Sequence, residues 1–262
     1  MRIVIKVGTS TLAHAGGRLN IRRVELLCKV LSDLQNAGHE IVLVSSGAIG
    51  MGVGKLGLPG RPQNMSGKQA AAAVGQCALM YTYDKLFTEH GHTVAQLLLT
   101  AEDIQDPRRS GKVHDTLEQL ITWKVIPVIN ENDAVSTDEI GIHTTIGEND
   151  TLSAIVARLL KADLLVLLSD IQGLYTADPH KDPNATLIPV VEELTEDILS
   201  LAGGAGSALG SGGMATKLRA AKIVMDAGLD MIIMNGENPE ALYDLFEQKA
   251  VGTRFIGKKA HV

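Results

Sequence analysis

Arg2-Ile3-Val4-Ile5-Lys6-Val7-Gly8-Thr9-Ser10 opens the chain, and its reading decides the fold. Residues 2–6 are rich in β-branched side chains and read as a strand. Gly8 then lets the backbone turn sharply. The same unit recurs downstream. Residues 40–45 form a buried-strand run that ends in Ser45-Ser46-Gly47-Ala48-Ile49-Gly50, and residues 125–129 run into Asn130-Glu131-Asn132-Asp133. Residues 164–168 run into Ser169-Asp170, and 93–99 and 231–234 add further strands. Between them, residues 21–36 carry apolar side chains at helical spacing and stop near Gly38. Ser66 is placed to cap a long helix. Further helices are expected up to residue 124, over 216–227 and over 239–247. This alternation predicts an α/β fold, a three-layer αβα sandwich around a mostly parallel open sheet. Such sheets bind ligands beyond the carboxyl ends of their strands, so Gly8, Ser46, Asn130 and Asp170 should converge on one edge.

The bulk composition narrows the function. The chain has 262 residues, a net charge of −6 and a pI near 5.7, which argues against a general binder of nucleic acid or of a lipid surface. No apolar run reaches the eighteen or so residues of a membrane span, and the first residues lack the flanks of a signal peptide. A cytoplasmic protein is expected. Cys28 and Cys77 fall in helix-like apolar patterns and read as buried free thiols. Histidines and cysteines show no metal-ligand spacing, and His90-Gly91-His92 reads as a turn.

Two blocks, Asn130-Glu131-Asn132-Asp133 and Gly147-Glu148-Asn149-Asp150, pair carboxylates with side-chain amides. Carboxylates hold an ammonium and amides hold a carboxylate, so the pairing suits a small zwitterion. Asn149 or Asp150 could instead cap a helix from Thr151. Lys6 beside Gly8 could neutralise phosphate charge or simply be solvated. Ser46 and Gly47 open a helix whose N–H groups could hold an anion, or Ser46 could serve only as a cap. Asp170 could orient a lysine, hold a nucleotide hydroxyl or merely end its strand. Residues 202–217 form the most glycine-rich loop, ending in Ser211-Gly212-Gly213-Met214-Ala215-Thr216-Lys217 at a helix start. That is an anion site by construction, with a flexible linker as the other reading. Gly52-Val53-Gly54-Lys55-Leu56-Gly57 matches Gly-x-Gly-x-x-Gly but follows no strand and lacks the later acidic residue of a dinucleotide site. A Walker-type P-loop is absent. Residues 134–147 read as a hairpin or flap.

Taken in order, these blocks resemble the glutamate 5-kinases of the amino acid kinase family. The resemblance is carried by Lys6-Val7-Gly8-Thr9-Ser10, Val44-Ser45-Ser46-Gly47-Ala48-Ile49, Lys68-Gln69-Ala70 with Ala73-Val74-Gly75-Gln76, and Asn130-Glu131-Asn132-Asp133. It continues through Gly147-Glu148-Asn149-Asp150, Gly173-Leu174-Tyr175-Thr176-Ala177-Asp178-Pro179 and Gly212-Gly213-Met214-Ala215-Thr216-Lys217 to Val251-Gly252-Thr253-Arg254-Phe255. It implies transfer of the ATP γ-phosphoryl group, with Mg²⁺, to the side-chain carboxylate of L-glutamate. By the same resemblance Lys6, Lys217 and Asp150 are the catalytic group, and Ser46, Gly47, Asn130, Asp133 and Asn149 bind glutamate. Lys6, Ser169, Asp170, Ser211, Gly212, Gly213, Met214, Ala215, Thr216 and Lys217 bind nucleotide. A single domain is expected, with its substrate half at 1–160, its nucleotide half at 161–262 and no PUA domain after it. The resemblance further implies a homo-oligomer, feedback inhibition by proline and coupling to glutamyl phosphate reductase. Ser169 stands where the family usually has threonine, and residues 110–113 depart from its pattern. The rival readings are another member such as an N-acetylglutamate kinase, and a silent sensor of glutamate or proline.

Overall fold

Valine, isoleucine and leucine fill most strand positions, and the central strands they form are buried on both faces, as a parallel sheet between two helical layers requires. The computed structural model describes residues 1–14, 18–135, 149–179, 181–201, 213–247 and 249–258. The strands are β1 (Arg2–Val7), β2 (Glu40–Ser45), β3 (Val94–Leu99), β4 (Ile126–Glu131), β5 (Leu164–Ser169), β6 (Val190–Val191), β7 (Asp230–Asn235) and β8 (Thr253–Phe255). They form one sheet in the order β3-β4-β2-β1-β5-β7-β8-β6. Its pairings are parallel except β7–β8, which is antiparallel. β1 lies between its successor β2 and the later β5. The winding therefore reverses at β1, and a crevice opens beyond its carboxyl end.

The helices are α1 (Thr9–Leu12), α2 (Ile21–Asn36), α3 (Ala48–Leu56), α4 (Met65–Glu89), α5 (Ala101–Gln105), α6 (Pro107–Thr122), α7 (Asn149–Leu159), α8 (Glu196–Ser200), α9 (Met214–Asp226) and α10 (Ala241–Phe246). The two-residue period of β1 divides them between the faces. Ile3, Ile5 and Val7 pack with Leu27 and Leu31 of α2 and Leu79 and Phe87 of α4. Val4 packs with Leu152 and Val156 of α7 and Leu218 and Val224 of α9. Lys6 shares the face of Val4, and so points toward α7 and α9.

Local chemistry explains several boundaries. The Asn20 side chain accepts from the Arg23 N–H at the start of α2, and Thr100 with Asp103 forms a reciprocal capping box on α5. Asp106 caps α6, whose first residue is Pro107. Two expectations are corrected, and one alternative reading is excluded. Asn64, not Ser66, stands at the start of α4, and Ser66 lies inside its first turn. Asn149 and Asp150 are within α7 rather than caps before Thr151. Cys77 is exposed, because it falls on the outer side of α4, whereas Cys28 is buried as expected. The short elements α1, α5, α8, β6 and β8 carried no usable periodicity. The turn at His90-Gly91-His92 is present, directly after α4. The expected flap at 134–147 falls, from 136 on, outside the described residues.

The Gly-x-Gly-x-x-Gly run is an internal part of α3 and its C-terminal cap. Its first glycine is there for packing. A Cβ on Gly52 would lie 1.8 Å from the Ala71 carbonyl oxygen, and one on Gly75 would lie 1.7 Å from that of Ala48. The backbones of α3 and α4 touch at this pair, so α4 clamps the first turn of α3. That turn follows Ser46 and Gly47, whose φ of 101° is the left-handed conformation that glycine adopts without strain.

Candidate active site

Four strand ends and two helix starts meet beyond the carboxyl edge of the sheet. At the centre is Asp150, in the first turn of α7, with a side chain only 1% exposed. One of its oxygens lies 2.5 Å from Lys6 Nζ and the other 3.3 Å from Lys217 Nζ. The Thr216 hydroxyl donates to that second oxygen at 2.8 Å. Burial alone would raise the Asp150 pKa. The charges of Lys6 and Lys217, with hydrogen bonds from Lys6 and Thr216, outweigh it and hold the group down to about 2. Two buried ammonium groups would otherwise repel each other. The shared carboxylate lets both be stored side by side, and the trio keeps a net charge of +1 facing the crevice.

Beside this cluster lies a network of amides and hydroxyls. Asn149 Nδ2 donates to Ser46 Oγ at 2.8 Å and to Asn130 Oδ1 at 3.1 Å. Asn130 is 1% exposed, and its Nδ2 donates to Gln76 Oε1 at 2.9 Å. Beneath it, Ser45 Oγ donates to the Ser46 carbonyl at 3.1 Å and lies 2.9 Å from Tyr83 Oη. With the Ser45 proton directed at Ser46, the phenol is the donor. Gln76 and Tyr83 are seven residues apart on one face of α4. The helix thus reaches under the site twice, once to the end of β4 and once to the end of β2.

The structure therefore gathers Lys6, Asp150, Thr216 and Lys217 in one bonded cluster and Ser46, Asn130 and Asn149 in another, adjacent through the neighbouring residues Asn149 and Asp150, with Gly47 at the turn. Asp133 lies in the turn after β4, half-buried. Burial pushes its carboxyl up, against the charge of Arg61, which pulls it down. Ser169 ends β5, and its hydroxyl donates to Asp170 Oδ1 at 3.1 Å on the exposed rim. Gly213 precedes α9, and among the described residues no side chain caps the helix start formed by Met214 and Ala215. Ser211, Gly212, Gly147 and Glu148 lie outside the described residues. Gln76, Tyr83 and Arg61 were not singled out as site residues from sequence. Gln76 and Tyr83 sit in an alanine-rich helix without a polar pattern, and Arg61 in a loop far along the chain from Asp133. Gln76 falls in one of the blocks that carry the family resemblance, but no local spacing marks the approach of any of the three.

A carboxylate shared by two lysines thus stands beside a network of side-chain amides and a helix start at the carboxyl edge of an αβα sandwich. Accordingly, the chain belongs to the amino acid kinase family, whose pattern it matches over residues 1–235. Within that family it is 55% identical to the glutamate 5-kinase of Clostridium tetani, over 97% of this chain and 93% of the other. It is 51% identical to the glutamate 5-kinase of Clostridium perfringens, over 98% and 96% respectively. The fold is shared with a carbamate kinase from Giardia lamblia bound to AMP-PNP (TM-score 0.69, 19% identity, 98% of both chains). It is also shared with an isopentenyl phosphate kinase of T. acidophilum (TM-score 0.66, 19% identity, 97% of this chain and 100% of the other).

Proposed function

We propose that the chain transfers the γ-phosphoryl group of ATP to the side-chain carboxylate of L-glutamate, giving L-glutamyl 5-phosphate, the first step of proline biosynthesis. The Lys6–Asp150–Lys217 cluster beside the Asn149–Ser46–Asn130 network carries this reading. A carboxylate oxygen attacks the γ-phosphorus while the bond to the ADP oxygen breaks and ADP leaves with the electron pair. The nucleophile is already ionised near neutral pH, so no general base is needed. What the reaction needs is charge cancellation and alignment. Lys6 reaches the centre from β1 and Lys217 from α9, and both ammonium groups would meet the transferring oxygens. Asp150 holds the two in place. The start of α9, with Ser169 and Asp170, would hold the nucleotide in the half formed by residues 161–262. Residues 1–160 would hold glutamate.

Mg²⁺ would accompany ATP. Among the described residues no cluster of three or more His, Cys, Asp or Glu offers it a cage, and Asp150 is neutralised by its lysines. Phosphate oxygens would carry the metal. A working homo-oligomer, inhibition by proline, passage of the labile acyl phosphate to glutamyl phosphate reductase and a cytoplasmic setting belong to the same reading. No described helix is long and apolar enough to cross a membrane.

Trapping with hydroxylamine tests the reaction. Protein, ATP and Mg²⁺ should give hydroxamate from L-glutamate but not from N-acetyl-L-glutamate or L-aspartate. Signal only from another acid would move the chain elsewhere in its family. Intact glutamate binding without ATP consumption would make it a sensor. Asp133→Ala should raise the glutamate KM by about tenfold or more with a smaller change in kcat, as expected on losing uniform binding of the ammonium. A fall in kcat alone would remove Asp133 from the glutamate site.

A further inference from the structure

We propose that Gln76 is a positioning residue that holds in place the amide relay Gln76–Asn130–Asn149, whose direction the Glu131 N–H sets, and thereby keeps the Asn149 acceptor placed for the substrate. The inference rests on the proposed glutamate site. Its starting point is one backbone group. The Glu131 N–H donates to Asn130 Oδ1 at 2.9 Å. A backbone N–H can only donate, so this end of Asn130 must be its carbonyl. The amide nitrogen then faces Gln76, 2.9 Å away, and Gln76 must meet it with Oε1. Asn130 Oδ1 has a second lone pair, which receives Asn149 Nδ2 at 3.1 Å. That nitrogen also donates to Ser46 Oγ and approaches the Ser45 carbonyl at 3.5 Å. The orientation of all three side-chain amides is thus fixed by bonding alone.

Two atoms are left over. Asn149 Oδ1 and Gln76 Nε2 are buried without a hydrogen-bond partner among the described residues. Gln76 as a whole is 8% exposed. An orphaned polar atom in a native interior asks for an explanation. Beside a site for an amino acid, an orphaned acceptor on Asn149 suits the substrate ammonium. Were the relay reversed, Asn149 would present its Nδ2 and repel that group. The Glu131 N–H rules out that reversal. Gln76 acts on position instead: its Oε1 anchors Asn130 Nδ2 and so fixes where Asn130 Oδ1 stands for Asn149. Gln76 is itself held in place because Gly75, its neighbour, lies against the backbone of α3.

The ligand pair glutamate and glutarate separates this role from simple support of the fold, because glutarate lacks the ammonium. Inhibition constants for glutarate and KM values for glutamate would be measured for the wild type, Gln76→Leu and Gln76→Glu. Gln76→Leu should weaken glutamate about tenfold, leave glutarate and ATP within about threefold, and change kcat little, since the loss falls on ground-state recognition. Gln76→Glu keeps an acceptor oxygen for Asn130 Nδ2 and should keep the glutamate KM within about threefold of the wild type. Equal weakening of glutamate and glutarate, unchanged glutamate KM in Gln76→Leu, or a loss in Gln76→Glu as large as in Gln76→Leu would each overturn the relay. The last comparison stands even if the leucine variant folds poorly, because a marked loss of glutamate affinity in folded Gln76→Glu is itself sufficient. Failure of the wild type to phosphorylate glutamate would instead strike the proposed function.

Discussion

Lys217→Ala is expected to lower kcat by about two to three orders of magnitude while the glutamate Kd moves by less than about threefold. Lys217 is nearly buried, at 6% exposure, where a positive charge acts on developing negative charge with little screening from water. The charge spread over the transferring group is greatest in the transition state, so the lysine stabilises that state more than it stabilises bound substrates. Its removal leaves Asp150 paired with Lys6 at 2.5 Å, so no buried carboxylate is stranded and the fold should survive. Initial rates of hydroxamate formation and calorimetric titration with glutamate give the two numbers. Small and equal changes in both would show that Lys217 does not face the reacting phosphoryl group.

Asp150→Asn is expected to act on stability as well as turnover. The substitution leaves two nearly buried ammonium groups without their shared counter-charge. Breaking a buried ion pair by removing one partner typically costs about 3–5 kcal/mol. For a chain of this size that corresponds to a Tm lower by roughly 10 °C. Turnover should fall about a hundredfold, because Lys6 and Lys217 would no longer be held together. The pH dependence has a definite sign. Asp150 has a folded pKa of about 2, below its ordinary value of 3.8. Its contribution is therefore present above the unfolded pKa and is lost as pH falls toward the folded one. That part is roughly 2 kcal/mol. The difference in Tm between wild type and variant should be constant from neutral pH to about 5 and shrink below about 4. Melting curves across that range provide the check. A difference that does not change with pH would mean that Asp150 titrates as an ordinary carboxyl.

The strand runs of β1, β2, β4 and β5 were legible because a strand buried on both faces needs an unbroken stretch of Val, Ile and Leu, which few other settings tolerate. The polar residue directly after each run was legible for the same reason. Once Ile129 ends the apolar stretch of β4, Asn130 must stand at the carboxyl edge. The caps were less legible. Ser66 and Asn64 both suit a helix start, and the choice is made by where the loop from Gly57 delivers the chain. For Asn149 and Asp150 the capping alternative stayed open, because residue type alone does not say whether a polar side chain stands before a helix or in its first turn. Cys77 reads as apolar in a helix whose alanines suit either face, so its exposure could not be read from spacing.

The sequence by itself determined the α/β class, the sheet edge on which the candidate residues gather, and the choice of Lys6, Asn130, Asn149, Asp150 and Lys217 among them. These follow from periodicity and residue type, which act locally along the chain. The tertiary structure alone decided that one carboxylate serves two lysines contributed by β1 and α9, and that Thr216 turns onto it. It alone decided that α4 reaches beneath the site through Gln76 and Tyr83. These are contacts between groups 38 to 67 positions apart, apart from the still longer reach between Lys6 and Asp150. Nothing in local propensity encodes such approaches. They arise when the sheet winds outward from β1 in both directions and brings distant strand ends to one edge. There burial makes each polar group's bonding partner a matter of energy rather than of sequence order.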